Sequence, residues 1–441
     1  MIAFCDTFAL ACRCVVLVWG AFILIRNFII NRNAFKVKYK WILWAFILMG
    51  IFTSIWNLSI DFLPNMAFIY HSIICFFVFY GMYTEKEHKK IEFEMAFLLK
   101  YFIVFSTITS FIGILVALFK AQVSISGYYI GILRSRLIGI HTNSNLLALS
   151  NIISIISCDI INDKYIKGKF KSKLFSVPVL IISCIINFVS LFLSDSNASF
   201  LFIVIYSIVR FFYVLFSNYK ETRISYIAKG SIFLVGFCIL VVLGSFSLRD
   251  FFQNGISVII NDIHKIEEPI VDNDNEVIII NPNESSNREE ISIGRENYDI
   301  SSGRITLLKQ GIKLFMVNPW IGIGRGNLVR FGEKYLENGL VFSDLHNGYL
   351  TILVSYGLLG FGIFMAFSFL TAFDMCSYLF KANLRCDSGV FSKLFSVCVA
   401  YCAYSLFEKT LLSEITFMVV FFWLILGYTI SYMNNGYKYL K

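Results

Sequence analysis

The chain has 441 residues, of which 57% are hydrophobic, 17% are aromatic and only 15% are charged. A soluble domain carries roughly a quarter charged residues, so this composition excludes a soluble globular protein and indicates one embedded in lipid. The formal net charge of +9 is spread over many short segments, which leaves no basic patch for nucleic acid.

Apolar windows of about 20 residues recur along the chain, and this length crosses a hydrocarbon core of about 30 Å. The windows are continuous rather than alternating, so they predict helices and not the strands of a barrel. We predict an all-α integral membrane protein with about eleven transmembrane helices (ten to twelve), at residues 8–25, 41–60, 66–83, 95–119, 146–162, 174–193, 198–216, 230–248, 349–376, 394–407 and 415–433.

The segments between these helices alternate in charge. Six of them, beginning with residues 26–40 and 84–94, hold 21 of the 38 Lys and Arg residues, whereas the turns at 61–65 and 194–197 hold none. By the positive-inside rule the basic segments are cytoplasmic, and the other loops face outward.

Two outward segments are long. The first, residues 120–145, contains Arg134 and Arg136. The second, residues 249–348, divides the chain into an N-terminal helical region (1–248), a large extracytoplasmic loop and three C-terminal helices (349–441). Up to residue 303 this loop holds twelve Asp or Glu against four Lys or Arg, a composition that does not favour a packed core.

The composition of the loop changes at SGRITLL, residues 302–308, and the candidate helix is ITLLKQGIKLFM, residues 305–316. Apolar residues at helical spacing, with Lys309 and Lys313 between them, predict a short amphipathic helix at the outer membrane face that Pro319 ends. The glycines of GIGRG, residues 322–326, predict a tight turn that brings the backbone close to a neighbouring group. This turn lacks the following Lys and Ser or Thr of a phosphate-binding P-loop.

Four arginines, Arg134, Arg136, Arg304 and Arg325, lie in outward segments where the positive-inside rule disfavours cations. One explanation is that their side chains snorkel to the membrane surface. The other is an anionic ligand, because an uncompensated arginine among helices costs on the order of 2.5 kcal/mol. The planar guanidinium suits a phosphate in particular.

The stretch SDLHNGYL, residues 343–350, predicts a helix start with Ser343 or Asp344 as N-cap and His346 in the first turn. The helix dipole would then favour the neutral imidazole, which can act as a general base. The alternative is an interfacial histidine bonded to Asp344 or to backbone. Asn145 likewise is either a ligand or simply the cap of the next helix.

In their order along the chain, these segments resemble the O-antigen ligase and polysaccharide polymerase family. NPWIGIGRGN (318–327) followed by HNGYLTILVSYGLLG (346–360) is similar to the family's outward loop and the helix after it. RLIGIHTNSNLLA (136–148) and SGRITLL (302–308) resemble two arginine motifs of the family. One departure is Asn197, which stands where many relatives have an arginine.

The resemblance implies a GT-C-like membrane fold that performs inverting, metal-independent glycosyl transfer. The donor would be a polyprenyl-diphosphate-linked glycan and the acceptor a saccharide, at the outer face of the bacterial cytoplasmic membrane. By this resemblance Arg136 and Arg304 hold the diphosphate, His346 accepts the proton of the acceptor hydroxyl, and Asn347 orients the base or the acceptor.

Arg325 and Asn145 complete the candidate substrate-binding set, and neither a metal nor a cofactor is expected. The first functional hypothesis is a polymerase, and the second is a ligase that moves the glycan to a lipid or protein acceptor. A transporter or flippase of lipid-linked saccharide is the alternative from another class. A chain-length regulator and a flippase are candidate partners, besides membrane lipid.

Overall fold

A computed structural model describes residues 6–30, 36–57, 62–81, 88–120, 122–125, 128–133, 136–141, 143–162, 175–217, 250–259, 304–337, 339–340, 344–382, 388–412 and 416–440, with a few further residues between 232 and 248. The chain folds into two compact units that interleave along the sequence. Unit 1 comprises Met1–Asp6, Leu99–Asn197 and Leu240–Tyr298, and unit 2 comprises Thr7–Leu98, Ala198–Ile239 and Asp299–Lys441. The domain boundaries drawn from the sequence stay a prediction.

Helices dominate the described residues. They are α1 (Asp6–Ile25), α2 (Lys40–Trp56), α3 (Phe62–Ile74), α4 (His88–Lys120), α5 (Ser144–Ile161), α6 (Val177–Leu193), α7 (Asn197–Ser217), α8 (Arg304–Val317), α9 (Leu328–Tyr335), α10 (Gly348–Ala382), α11 (Ser388–Tyr404) and α12 (Phe417–Leu440). Short π-helical turns, Arg26–Ile30 and Cys75–Phe79, extend α1 and α3.

The helical, multi-pass character predicted from the apolar windows is confirmed. Within the described residues, seven helices are long and apolar enough to cross a membrane, and three shorter apolar helices accompany them. These ten coincide with ten of the eleven predicted spans. The remaining span, 230–248, lies almost wholly outside the described residues, so the count of eleven stays a prediction.

One part of unit 1 is not helical, which the all-α prediction did not include. The strands β1 (Gln122–Ile125), β2 (Tyr128–Leu133) and β3 (Arg136–Gly139) form an antiparallel sheet in the order β1-β2-β3. Its sequence is rich in Ile, Val and Tyr and is punctuated by glycine, a composition that favours short strands. The sheet ends against α4, where a Cβ on Gly113 would lie 2.7 Å from the Cα of Gly139.

Helix α10 is broken where the sequence predicted one continuous span. Gly357 has φ 64° and ψ −172°, a backbone conformation that residues other than glycine rarely adopt. A Cβ at this position would lie 2.3 Å from the carbonyl oxygen of Trp320. The break therefore needs a glycine, and the loop after α8 enters it.

Loop 319–324 supplies the backbone hydrogen bonds that the break would otherwise leave unmade. The GIGRG turn predicted from its glycines is confirmed, and the group that its backbone approaches is α10. Four bonds join the two: Leu358 N–H to Pro319 O (2.8 Å), Leu359 N–H to Trp320 O (3.2 Å), Ile323 N–H to Val354 O (3.1 Å) and Gly324 N–H to Ser355 O (2.9 Å).

The predicted amphipathic helix is present as α8, and it ends at Val317, just before Pro319. Leu314 packs into a buried cluster with Leu350 and Val354 of α10. At Gly311 the two helices approach so closely that a Cβ would lie 2.5 Å from a methyl group of Leu350. Helix α8 is thereby fixed beside the first turns of α10, with Arg304 at its start.

Candidate functional site

The stretch before α10 sets the position of His346 through two local side-chain bonds. Asp344 accepts a hydrogen bond from the backbone N–H of His346 at 2.9 Å, which makes an Asx turn. His346 adopts φ 43°. Asn347 then caps α10, because its Oδ1 accepts the N–H of Leu350 at 2.9 Å. The predicted cap at Ser343 or Asp344 was wrong, and His346 precedes the first turn instead of lying in it.

The start of α10 is joined to the end of α11. The Gly348 N–H donates to the carbonyl oxygen of Ser405 at 2.7 Å. The turn that follows α11 is internally bonded, with Glu408 N–H donating to Tyr404 O at 3.2 Å and Thr410 N–H donating to Glu408 O at 3.1 Å. This arrangement brings the side chains of Glu408 and its neighbour to His346.

His346 lies between two carboxylates, and each carboxylate has its own cation. Nδ1 of His346 is 3.5 Å from Oε2 of Glu408, and Nε2 is 3.6 Å from Oδ1 of Asp344. Nη2 of Arg304 is 3.4 Å from Oε1 of Glu408, and Nζ of Lys409 is 2.5 Å from Oδ2 of Asp344. We call these five residues the His346 cluster. With a neutral imidazole its formal charges balance.

The carboxylates make the imidazole more basic than the sequence suggested. A hydrogen bond to Glu408 raises the pKa of His346, and the charges of Asp344 and Glu408 add to this, while burial and Lys409 oppose it. Burial alone would raise the pKa of Asp344, but His346 and Lys409 outweigh it and lower that pKa. The expectation that a helix dipole lowers the pKa of His346 was wrong, because His346 precedes α10 and its contacts with two carboxylates raise that pKa.

Two members of the cluster, Glu408 and Lys409, were not found from the sequence. Both lie in the short segment after α11, in FEKT. The available signal was Lys409, a cation in a short turn that the positive-inside rule predicts to face outward, where the short turns at 61–65 and 194–197 hold no Lys or Arg. Only the Gly348 to Ser405 contact shows that this turn meets the start of α10.

Arg136 and Asn145 form a second polar site, in unit 1. Arg136 donates from Nε to the Ser194 carbonyl at 2.9 Å and from Nη2 to Oδ1 of Asn145 at 3.0 Å. Ser196 donates to the same Asn145 oxygen at 2.9 Å. The cap of α5 is Asn143, which accepts the Asn145 N–H at 2.7 Å, so the interpretation of Asn145 as that cap was wrong.

The turn that contacts Arg136 is followed by Asn197, the position at which the resemblance predicts an arginine. Asn197 follows Ser196 directly and begins α7. His141, which lies close to Asn145 in the sequence, is buried. Its Nε2 lies 3.4 Å from Oγ1 of Thr109, and burial lowers the pKa of His141 to about 3. It is therefore a neutral packing group. Arg134 lies outside the described residues.

Arg325 sits in a small cavity of unit 2, apart from the His346 cluster. It is 8% exposed, and its guanidinium stacks 5.0 Å from the ring centre of Phe68. Thr351 and Ser355 of α10 line the same cavity. Thr351 also donates to the Asn347 carbonyl at 2.7 Å, so the cavity begins one turn along α10 from His346.

The other glycines of GIGRG serve packing against α3. The Gly326 N–H donates to Oδ1 of Asn65 at 2.6 Å, and a Cβ on Gly324 would lie 2.7 Å from that oxygen. Among the residues that the structure describes, no group of three His, Cys, Asp or Glu is arranged to hold a metal ion.

The fold and site define a multi-pass helical membrane protein with a charge-balanced histidine site where a broken helix begins. Residues 182–365 match the model of the O-antigen ligase family, and this match confirms the resemblance over that part of the chain. The match includes Arg304, Arg325, His346 and Asn347. No curated protein matches the chain.

Proposed function

We propose that the protein is a polysaccharide polymerase that joins polyprenyl-diphosphate-linked oligosaccharide units at the outer face of a bacterial cytoplasmic membrane. The observation that carries this proposal is that Glu408 contacts both His346 and Arg304. His346, the candidate base, and Arg304, the candidate cation that stabilises the leaving group, thus contact the same carboxylate. The O-antigen ligase match supports a lipid-linked glycan as the substrate class.

In the proposed reaction the acceptor hydroxyl gives its proton to the neutral imidazole of His346. The hydroxyl oxygen forms a bond to the anomeric carbon of the donor, and the bond from that carbon to the diphosphate oxygen breaks. The electron pair leaves with the diphosphate, whose charge Arg304 stabilises. General-base catalysis of this kind contributes roughly 10²- to 10⁴-fold in rate.

Arg136 belongs to unit 1, and the resemblance alone assigns it to the diphosphate. Its contacts with Ser194 and Asn145 fix the guanidinium in place, which supports a binding role and makes Asn145 a positioning residue. Arg325 is proposed as a further substrate contact, because a buried arginine beside the hydroxyl-lined cavity suits an anionic group.

A ligase is the second candidate, and the description of the matched family as O-antigen ligase favours it. The test is to incubate purified protein in lipid with a lipid-linked repeat unit and to separate the glycans on a gel. A ladder indicates a polymerase, and a single shift of an added acceptor indicates a ligase. An unchanged oligosaccharide that only crosses a vesicle bilayer indicates a transporter.

The His346→Ala variant should form no ladder, because it has no base at this position. Its elution volume and thermal unfolding midpoint should match those of the wild type, which shows that the variant is folded. Normal chain growth in a folded His346→Ala protein would remove the base assignment.

A further inference from the structure

Glu408 divides its carboxylate between two groups of opposite function. Oε1 faces Arg304, which begins α8, and Oε2 faces the imidazole of His346. Glu408 is buried, and backbone hydrogen bonds to Tyr404 and Thr410 hold its turn. The carboxylate therefore stays in place, while its effect on His346 depends on how much of its charge Arg304 neutralises.

The two ion pairs of the His346 cluster differ in tightness. Nζ of Lys409 approaches Oδ2 of Asp344 to 2.5 Å, whereas Nη2 of Arg304 and Oε1 of Glu408 are 3.4 Å apart. Oδ1 of Asp344 also accepts the backbone N–H of His346, which holds the Asp344 carboxylate further in place. An incoming anion would thus separate Arg304 from Glu408 more easily than it would separate Lys409 from Asp344.

We propose that Glu408 is a positioning residue that couples donor binding to the activation of His346: the donor diphosphate draws Arg304 away, and the stationary carboxylate, no longer neutralised by Arg304, acts on the imidazole with its full charge. This inference rests on the proposed function, because it takes the anion to be a lipid diphosphate. Arg304 then has two successive partners, Glu408 in the free protein and the diphosphate in the complex.

The consequence is that His346 becomes a stronger base only when the glycan donor, which carries the electrophilic carbon, is bound. In the free protein Arg304 and Lys409 neutralise the two carboxylates that face His346. In the complex Asp344 keeps its contact with Lys409, whereas Glu408 no longer faces Arg304. The groups that face the imidazole are then Asp344 from the segment before α10, and Glu408 and Lys409 from the turn after α11.

The test measures the titration of His346 directly, without any turnover. The full chain in nanodiscs, with histidine side chains isotopically labelled, is titrated by NMR with and without undecaprenyl diphosphate. A His346→Gln sample assigns the signal among the five histidines. In the wild type the midpoint should rise by about one pH unit or more when undecaprenyl diphosphate is added.

Three variants distinguish the part of the shift that acts through Glu408 from the direct effect of the diphosphate charge on His346. Glu408→Gln should lose most of the upward shift, Glu408→Asp should retain part of it, and Asp344→Asn, the matched control carboxylate, should retain it fully. An equal shift in wild type and Glu408→Gln would overturn the inference, as would no shift in the wild type. A Glu408-dependent shift of the His346 midpoint in a protein that forms no glycan ladder would count against the proposed glycosyl transfer alone. A glycan ladder in a protein without that shift would count against this inference alone.

Discussion

Nδ1 of His346 lies 3.5 Å from Oε2 of Glu408, and this contact predicts the pH dependence of the reaction. Because the bond to Glu408 raises the pKa of His346, the imidazole loses its proton at a higher pH than an ordinary histidine does. Turnover should therefore rise with pH along a limb whose midpoint lies above 6.5, the ordinary histidine value.

Substitutions of Lys409 and Asp344 test this pH dependence, because they should shift its midpoint in opposite directions. Lys409 lowers the pKa of His346, so Lys409→Met should move the midpoint to higher pH, while Asp344→Asn should move it to lower pH. The measurement is the initial rate of chain growth between about pH 5 and 9. A midpoint at or below 6.5, or shifts in the reverse order, would contradict the assignment of His346 as the base.

Asn347 combines a structural role with a proposed functional one, and two variants distinguish them. Asn347→Ala removes the cap of α10 and should lower the free energy of unfolding by about 1 kcal/mol. Asn347→Asp keeps a capping oxygen and should restore stability, but turnover should remain low in both because the amide is lost. Full turnover in Asn347→Asp would show that Asn347 serves only as the cap of α10 and has no role in the reaction.

The break in α10 predicts an unequal effect of two glycine substitutions in the same helix. Gly357→Ala places a methyl group 2.3 Å from the Trp320 carbonyl at a positive φ, and should lower the free energy of unfolding by at least about 2 kcal/mol. Gly362→Ala is the matched control, since no atom lies within 4 Å of its added Cβ. Equal unfolding midpoints in detergent for the two variants would argue against the break.

The arginine assignments predict that lysine is not an adequate replacement. Arg136→Lys cannot bond the Ser194 carbonyl and Asn145 together, and Arg304→Lys loses the planar fork that suits a diphosphate. Each should lower turnover by at least about tenfold, because a hydrogen bond to a charged group contributes about 1.5 to 3 kcal/mol.

The control for the arginine variants is Lys309→Arg, an exposed position on α8, which should leave turnover unchanged. The measurement is the rate of chain growth at saturating donor. Wild-type turnover in Arg136→Lys and Arg304→Lys would remove both residues from donor binding.

Most helices could be predicted from the sequence, because a window of continuous apolar residues fixes both lipid burial and a hydrogen-bonded helix. Helix α8 was predicted from the helical spacing of ITLLKQGIKLFM and from Pro319, and the structure extends it by one residue at each end. The small sheet at residues 122–139 did not, since its strands are short and lie in a segment that hydropathy treats only as a loop.

The site was only half predictable for a different reason. His346 and Arg304 stood out as rare residue types in outward segments, but their link runs through Glu408, and that contact depends on how α11 ends against α10. The same holds for Arg136 and Asn145. Each has a clear local alternative, and only the tertiary contact with the turn at Ser194 and Ser196 decides between them.

The hydrogen bonds between loop 319–324 and the broken helix α10 have a practical consequence for dividing the gene. A cut within residues 260–303 leaves loop and helix on the same fragment, so the four backbone hydrogen bonds between them stay within one chain. A cut between 338 and 343 separates them and leaves the peptide groups around Gly357 without acceptors or donors. The acidic stretch is therefore the place for an affinity tag or a split reporter.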